Sequence, residues 1–503
     1  PSTYASTMGG TEVVRLLPPM PWDPYVEGLP PMPWEAAIQS LADQTGFATD
    51  QLRYTSSLLI AIPIGFLFRA VTVDPYTRKA DAEKAAAIAT RHTLSMVIGL
   101  AFMLFAFGYE IAHALFSSTV AFLLMKAVPG KNVHIWVTIW AMGYMSLSHI
   151  YRQIVAYGSW TIDFTTPQLL LTQKMMNIAF ALHDSSRKDD KLSEEQRKRM
   201  IKKPLDFTEY YGYIFCMHTL LAGPSADYNE YIMWIDGSKL AGQRHSPLFA
   251  VLKKILCAAF CLFMFIGLGA SWDVGALGNP DWISKHAWWW ILMYNQVALC
   301  MGRHRYYFAW VLSDAACNAA GFGFNGLDKS GAAKWDAVLN IRYLDVEAAI
   351  NFRAAMTGWN IATSNWLRRC VYERVPAAYA TFASFTMSAI WHGFYPGYYL
   401  TFLSSALFNE TAKVLRRHLR PRAIPSKEAE GSAVAYLYHA ASTSATMMSL
   451  NYLGHPFNVQ SLDKAMVLWS YWYMAPHAIA ISLYLAVPVI FPNKKPSSAK
   501  KAN

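Results

Sequence analysis

The chain has 503 residues, 54% of them hydrophobic and 15% charged, against about 25% charged in an ordinary soluble domain. With 27 Phe, 18 Trp and 28 Tyr, disordered, collagenous and acidic-tail classes are excluded, leaving a large soluble core or a multi-pass membrane protein. The formal charge of +11 suits nucleic acid, anionic lipid or an anionic cofactor until the positions of the charges are weighed.

Residues 1–50 are proline-rich and repeat Pro-Pro-Met-Pro-Trp at 18–22 and 30–34. Proline's missing N–H keeps such sequence out of regular structure, so we expect a peripheral arm with a short amphipathic segment. No basic region followed by an apolar one opens the chain, which predicts no cleaved signal peptide. From about residue 54, apolar stretches of bilayer-spanning length alternate with short polar connections. They lie at 57–71, 93–110, 111–127, 133–156, 205–224, 249–271, 287–301, 306–325, 376–394, 395–410, 432–453 and 465–491. The expected fold is all-α, a multi-pass integral membrane bundle of about eleven transmembrane or re-entrant helices over 51–491. A basic tail follows at 492–503.

Glu110, His113, His149, Arg152, His218, Asp314, Asn318 and His392 interrupt these stretches. One such residue is ordinarily paired between helices; as a set they predict a polar interior. The basic residues cluster between the apolar stretches, with five Lys and three Arg over 187–203 and further runs at 413–422 and 494–501. This is the pattern that membrane topology and anionic headgroups produce, and nucleic acid is not needed to explain it. Lys500 and Lys501 near the end resemble the dilysine signal of endoplasmic reticulum membrane proteins.

The six cysteines sit in apolar sequence with no metal-ligand spacing, so no metal and no permanently bound cofactor are expected. Gly321, Gly323 and Gly326 fit GxGxxG, but an apolar helical run precedes them where a nucleotide fold needs a strand. Serine-hydrolase, zincin, kinase and soluble glycerolipid acyltransferase motifs are missing.

The informative region is 347–402. Glu347 is followed after eleven residues by Trp359-Asn360, Thr363 and Trp366, a spacing that predicts Trp359, Thr363 and Trp366 on one helical face. Further on, Ser388-Ala389-Ile390-Trp391-His392-Gly393 leads into Pro396-Gly397-Tyr398 and Phe402. An ionisable imidazole beside a helix break suits a buried reaction chamber. These two runs fill every fixed position of E-x11-WN-x2-T-x2-W and SA-x-WHG-x2-PGY-x3-F. The chain therefore resembles the membrane-bound O-acyltransferase family, lysophospholipid acyltransferase branch. Asp163-Phe164-Thr165, Leu171-Thr172-Gln173-Lys174, Leu221-Ala222-Gly223-Pro224 and Tyr306-Tyr307-Phe308-Ala309-Trp310 extend the resemblance over about residues 40–490.

That resemblance implies transfer of an acyl chain from acyl-CoA, as co-substrate, to the free hydroxyl of a lysophospholipid in the endoplasmic reticulum membrane. It matches His392 and Asn360 to the family's catalytic His and Asn. Asn360 cannot titrate, so it would orient a reacting group or stabilise an oxyanion. Glu347, Trp359, Thr363, Trp366, Trp391, Gly393, Pro396, Gly397, Tyr398 and Phe402 are expected around the substrate. Helix packing explains the aromatic ones equally well. Arg303, Arg305, Arg368 and Arg369 are candidates for the coenzyme A phosphates, although topology alone accounts for them too. The alternatives are another acceptor within the family (a sterol, a diacylglycerol or a protein) or a lipid transporter, for which the sequence lacks the internal repeat.

Overall fold

The computed structural model describes residues 30–243 and 245–492. The first copy of the proline repeat and the two lysines near the C-terminus lie outside them. The described residues are helical, with one isolated β-bridge between Leu327 and Ala333. The second repeat copy leads into the helix Glu35–Thr45.

Long helices run over Thr49–Val71, Asp81–Phe107, Gly130–Val155, Thr165–Ser185, Trp288–Ala319, Pro396–Ala423 and Ala433–Val459. By length and apolar composition, three segments among the described residues can cross a bilayer: Thr49–Thr77, Asp81–Ala127 and Leu248–Ser271. The pair Leu462–Tyr471 and Ala475–Ile490, bent by 69°, makes a fourth if counted as one span. The exposed side chains on these segments, such as Leu67, Val71, Phe249 and Leu256, form an apolar exterior of the kind lipid requires.

Three expectations change. The stretch 205–224 is not a span: the helix Phe207–Ile214 stops, and a buried irregular segment carries the chain to the helix Tyr228–Ile235. Lys174 makes this stop tolerable. Its Nζ donates to the carbonyl oxygens of Tyr213 and Ile214, both at 3.0 Å, and to Thr219 Oγ1 at 2.9 Å, so the freed carbonyls keep donors. Gly223-Pro224 falls inside this segment. The stretches 287–301 and 306–325 form one helix, Trp288–Ala319, because Arg303, His304 and Arg305 between them find partners inside the protein. Finally, Thr165–Ser185 is a central helix whose Gln168, Thr172, Gln173 and Lys174 are all fully buried. Its polarity hid it from a hydropathy reading.

Candidate active site

His392 is the last residue of the helix Ala377–His392, and Pro396 opens the next one. The break between them is as the sequence predicted. Gly393 has φ +123°, and a Cβ there would lie 3.1 Å from Nδ1 of His149, so only glycine fits this turn. His149 Nε2 meets the carbonyl oxygen of Trp391 at 3.0 Å, fastening the helix end. Nδ1 of His392 lies 2.7 Å from the carbonyl oxygen of Ser388. A carbonyl only accepts, so Nδ1 carries the proton and Nε2 keeps its lone pair. Phe402 stacks on the imidazole at 4.7 Å and Phe457 meets its edge at 5.3 Å.

Trp359 and Asn360 do not continue the helix that holds Thr363 and Trp366. The helix Phe352–Gly358 ends first; Trp359 is extended, and Asn360 takes the left-handed conformation (φ 42°, ψ 57°). Only Thr363 and Trp366 belong to the next helix, Ile361–Leu367. Asn360 stands at its N-terminus, yet its side chain makes no capping bond. Asn340, across the loop, accepts from the N–H groups of Ile361 and Ala362. The Asn360 carboxamide is thereby left to the interior.

His392 and Asn360 line one cavity of about 1380 Å³, together with Trp359, Thr363 and Phe402. The polar part of Thr363 is used: Gln173 Nε2 donates to its Oγ1 at 2.9 Å. Away from His392 and Asn360 the same cavity runs along the helix Pro396–Ala423 to Lys413, Arg416, Arg417 and Arg420, with Arg353 and Arg368 opposite. Among the described residues, Arg353, Arg416 and Arg417 have no ion-pair partner.

A model of the membrane-bound O-acyltransferase family matches residues 149–450. The chain belongs to the membrane-bound O-acyltransferase family. It is 32% identical to Lysophospholipid acyltransferase 6 of Drosophila melanogaster over 465 residues, covering 89% of this chain and 62% of the fly protein. It is 31% identical to Membrane-bound glycerophospholipid O-acyltransferase 1 of Homo sapiens over 466 residues (89% of this chain, 91% of the relative). Identity to Membrane-bound glycerophospholipid O-acyltransferase 2 of Homo sapiens is also 31%, over 468 residues (90% and 87%). The chain is thus an O-acyltransferase enzyme of a membrane family.

Several residues singled out by the family motifs lie outside this O-acyltransferase's chamber. Trp366 is fully buried against Trp391, with ring centres 5.7 Å apart, and Trp391 Nε1 donates to the carbonyl oxygen of Leu169. Pro396 starts a helix, and Gly397 donates its N–H to the carbonyl oxygen of Gln460 at 2.7 Å. Gln460 also donates to the hydroxyl of Tyr398. Glu347 accepts from Arg303 Nε (2.9 Å), Arg303 Nη2 (2.7 Å) and the Tyr307 hydroxyl (2.6 Å). These groups shape the site through others.

The four arginines picked as coenzyme A candidates also divide. Arg303 is consumed by Glu347, and Arg369 pairs with Asp227. Arg305 faces a different cavity. Arg368 reaches the chamber but pairs with Glu373 at 2.8 Å. The unpaired cations of the mouth, Arg353, Arg416 and Arg417, carry no family motif, and only the run of basic residues at 413–422 pointed to two of them.

Proposed function

We propose that this protein transfers a fatty acyl chain from acyl-CoA to the free hydroxyl of a lysophospholipid. The observation that supports this most is that one cavity holds an unprotonated imidazole nitrogen at one end and unpaired arginines at the other. The helix rise of 1.5 Å per residue puts Thr401 and Arg420 about 28 Å apart. Such a span suits a donor whose phosphates and reacting thioester are far apart, and guanidinium groups suit those phosphates.

In the proposed reaction, Nε2 of His392 accepts the hydroxyl proton while that oxygen bonds to the thioester carbonyl carbon. The Asn360 amide donates to the developing oxyanion. As the carbonyl re-forms, the C–S bond breaks and coenzyme A departs as thiolate, which takes back the proton held by His392. The products are a diacyl phospholipid and free CoA, with no covalent acyl-enzyme.

An endoplasmic reticulum location belongs to the same proposal, as the family resemblance implies. The test is detergent-purified protein given oleoyl-CoA and a panel of lysophospholipids, with free thiol and diacyl product followed together. Stoichiometric appearance of both supports the reading. Thiol release with no phospholipid product points to a sterol, diacylglycerol or protein acceptor, and no release at all overturns acyl transfer from CoA.

A further inference from the structure

A second cavity, of about 750 Å³, lies between Trp160, Trp272 and residues 458–464. Asn458 lines both cavities. The helices Pro396–Ala423 and Ala433–Val459 run antiparallel: Thr401 Oγ1 donates to the carbonyl oxygen of Leu453, and Gly397 N–H to that of Gln460, each at 2.7 Å. The second cavity therefore lies beyond the His392 end of the chamber, opposite the arginine mouth.

Arg305 stands at the junction. Its Nη2 donates to Asn458 Oδ1 at 2.9 Å and to the Tyr306 hydroxyl at 2.8 Å. Its guanidinium carbon lies 4.5 Å from the ring centre of Trp160 and 4.7 Å from that of Tyr306. Among the described residues it has no carboxylate partner, and its Nε and Nη1 make no hydrogen bond. A guanidinium held by two rings has already lost its rotamer freedom, and its Nε and Nη1 keep N–H donors that can meet a phosphate oxygen with charge assistance.

We propose that the second cavity receives the polar head of the acceptor and that Arg305 grips its phosphodiester. The inference rests on the acyl-transfer reading above and adds the residue that selects the acceptor. In a lysophospholipid the free hydroxyl is a few bonds from the phosphate. A phosphate on Arg305 thus directs that hydroxyl past Asn458 and Phe457 toward the His392 ring, 5.3 Å from Phe457. Acyl-CoA and acceptor then approach the imidazole from opposite ends, and neither must leave for the other to bind.

The test is steady-state kinetics of wild type, Arg305→Gln and Arg305→Lys. Oleoyl-CoA is the donor; the acceptor is either lysophosphatidylethanolamine or monooleoylglycerol, which has free hydroxyls and no phosphate. We expect Arg305→Gln to raise KM for the lysophospholipid about tenfold or more, to leave KM for oleoyl-CoA within twofold, and to abolish the preference for the phosphate-bearing acceptor. Arg305→Lys, which retains the charge, falls between the two and serves alone if the glutamine variant does not fold. An unchanged lysophospholipid KM in an active variant overturns the proposal, as does a rise of both KM values together, which marks a structural role. A wild type that acylates no lysophospholipid overturns the acyl-transfer reading itself, and this inference with it.

Discussion

Asn340 caps the helix that Asn360 begins. Its Oδ1 accepts from the Ala362 N–H at 3.0 Å and its carbonyl oxygen from the Ile361 N–H at 2.9 Å. An asparagine at the start of a helix ordinarily bends back on its own backbone. Asn340 supplies that service from outside, so Asn360 is released from it. Replacing Asn340 by alanine should cost about 1 kcal/mol of stability and let Asn360 turn to the Ala362 N–H that the lost side chain leaves vacant. We expect kcat to fall about tenfold with KM for acyl-CoA little changed, measured on detergent-purified protein.

The ion pair of Arg303 and Glu347 is nearly closed to solvent, with side chains 12% and 11% exposed. Removing one member of such a pair strands the other and typically costs about 3 to 5 kcal/mol. Glu347→Leu should therefore unfold at markedly lower temperature than wild type. The double change Glu347→Leu with Arg303→Met should recover much of the loss. Thermal unfolding of wild type, Glu347→Leu, Arg303→Met and the double variant checks this, and equal losses in single and double variants would show that the pair does not act as a unit.

Lys174→Met keeps the length of the side chain and removes its charge and donors. Two backbone carbonyls and the Thr219 hydroxyl then lose their partner in a fully buried place, at about 1 to 3 kcal/mol for each unsatisfied group. We predict a large drop in unfolding temperature and early proteolysis within 215–227, read by limited digestion.

Gly397→Ala puts a Cβ 2.0 Å from the backbone oxygen of Pro456. Backbone on both sides leaves nothing flexible to yield, so the two helices must part where the chamber meets the second cavity. Loss of folded protein on size-exclusion chromatography is the expected outcome; a well-folded, active variant would contradict this packing.

The membrane class and the break after His392 were legible because composition and the Gly-Pro-Gly spacing are local properties. The central helix Thr165–Ser185 was not, since its polar face is buried by partners remote in sequence: Gln173 meets Thr363, and Lys174 meets carbonyls of the 207–219 region. The motif spacing pointed to Asn360 but placed Trp359 on one helical face with Thr363 and Trp366, whereas the chain turns left-handed at Asn360 and leaves Trp359 outside that helix. The arginine mouth was legible only as a run of charge. Which arginines remain unpaired is decided by where Glu347, Asp227 and Glu373 stand in three dimensions.

The most direct test of the account is the activity of His392→Ala beside that of wild type and Asn360→Ala, with free thiol and diacyl phospholipid measured in the same reaction. Loss of the base should lower turnover by about 100- to 10,000-fold and loss of the oxyanion donor by about 100- to 1000-fold, with unfolding temperatures close to wild type. Folded His392→Ala that consumes oleoyl-CoA and forms diacyl phospholipid at the wild-type rate would contradict it.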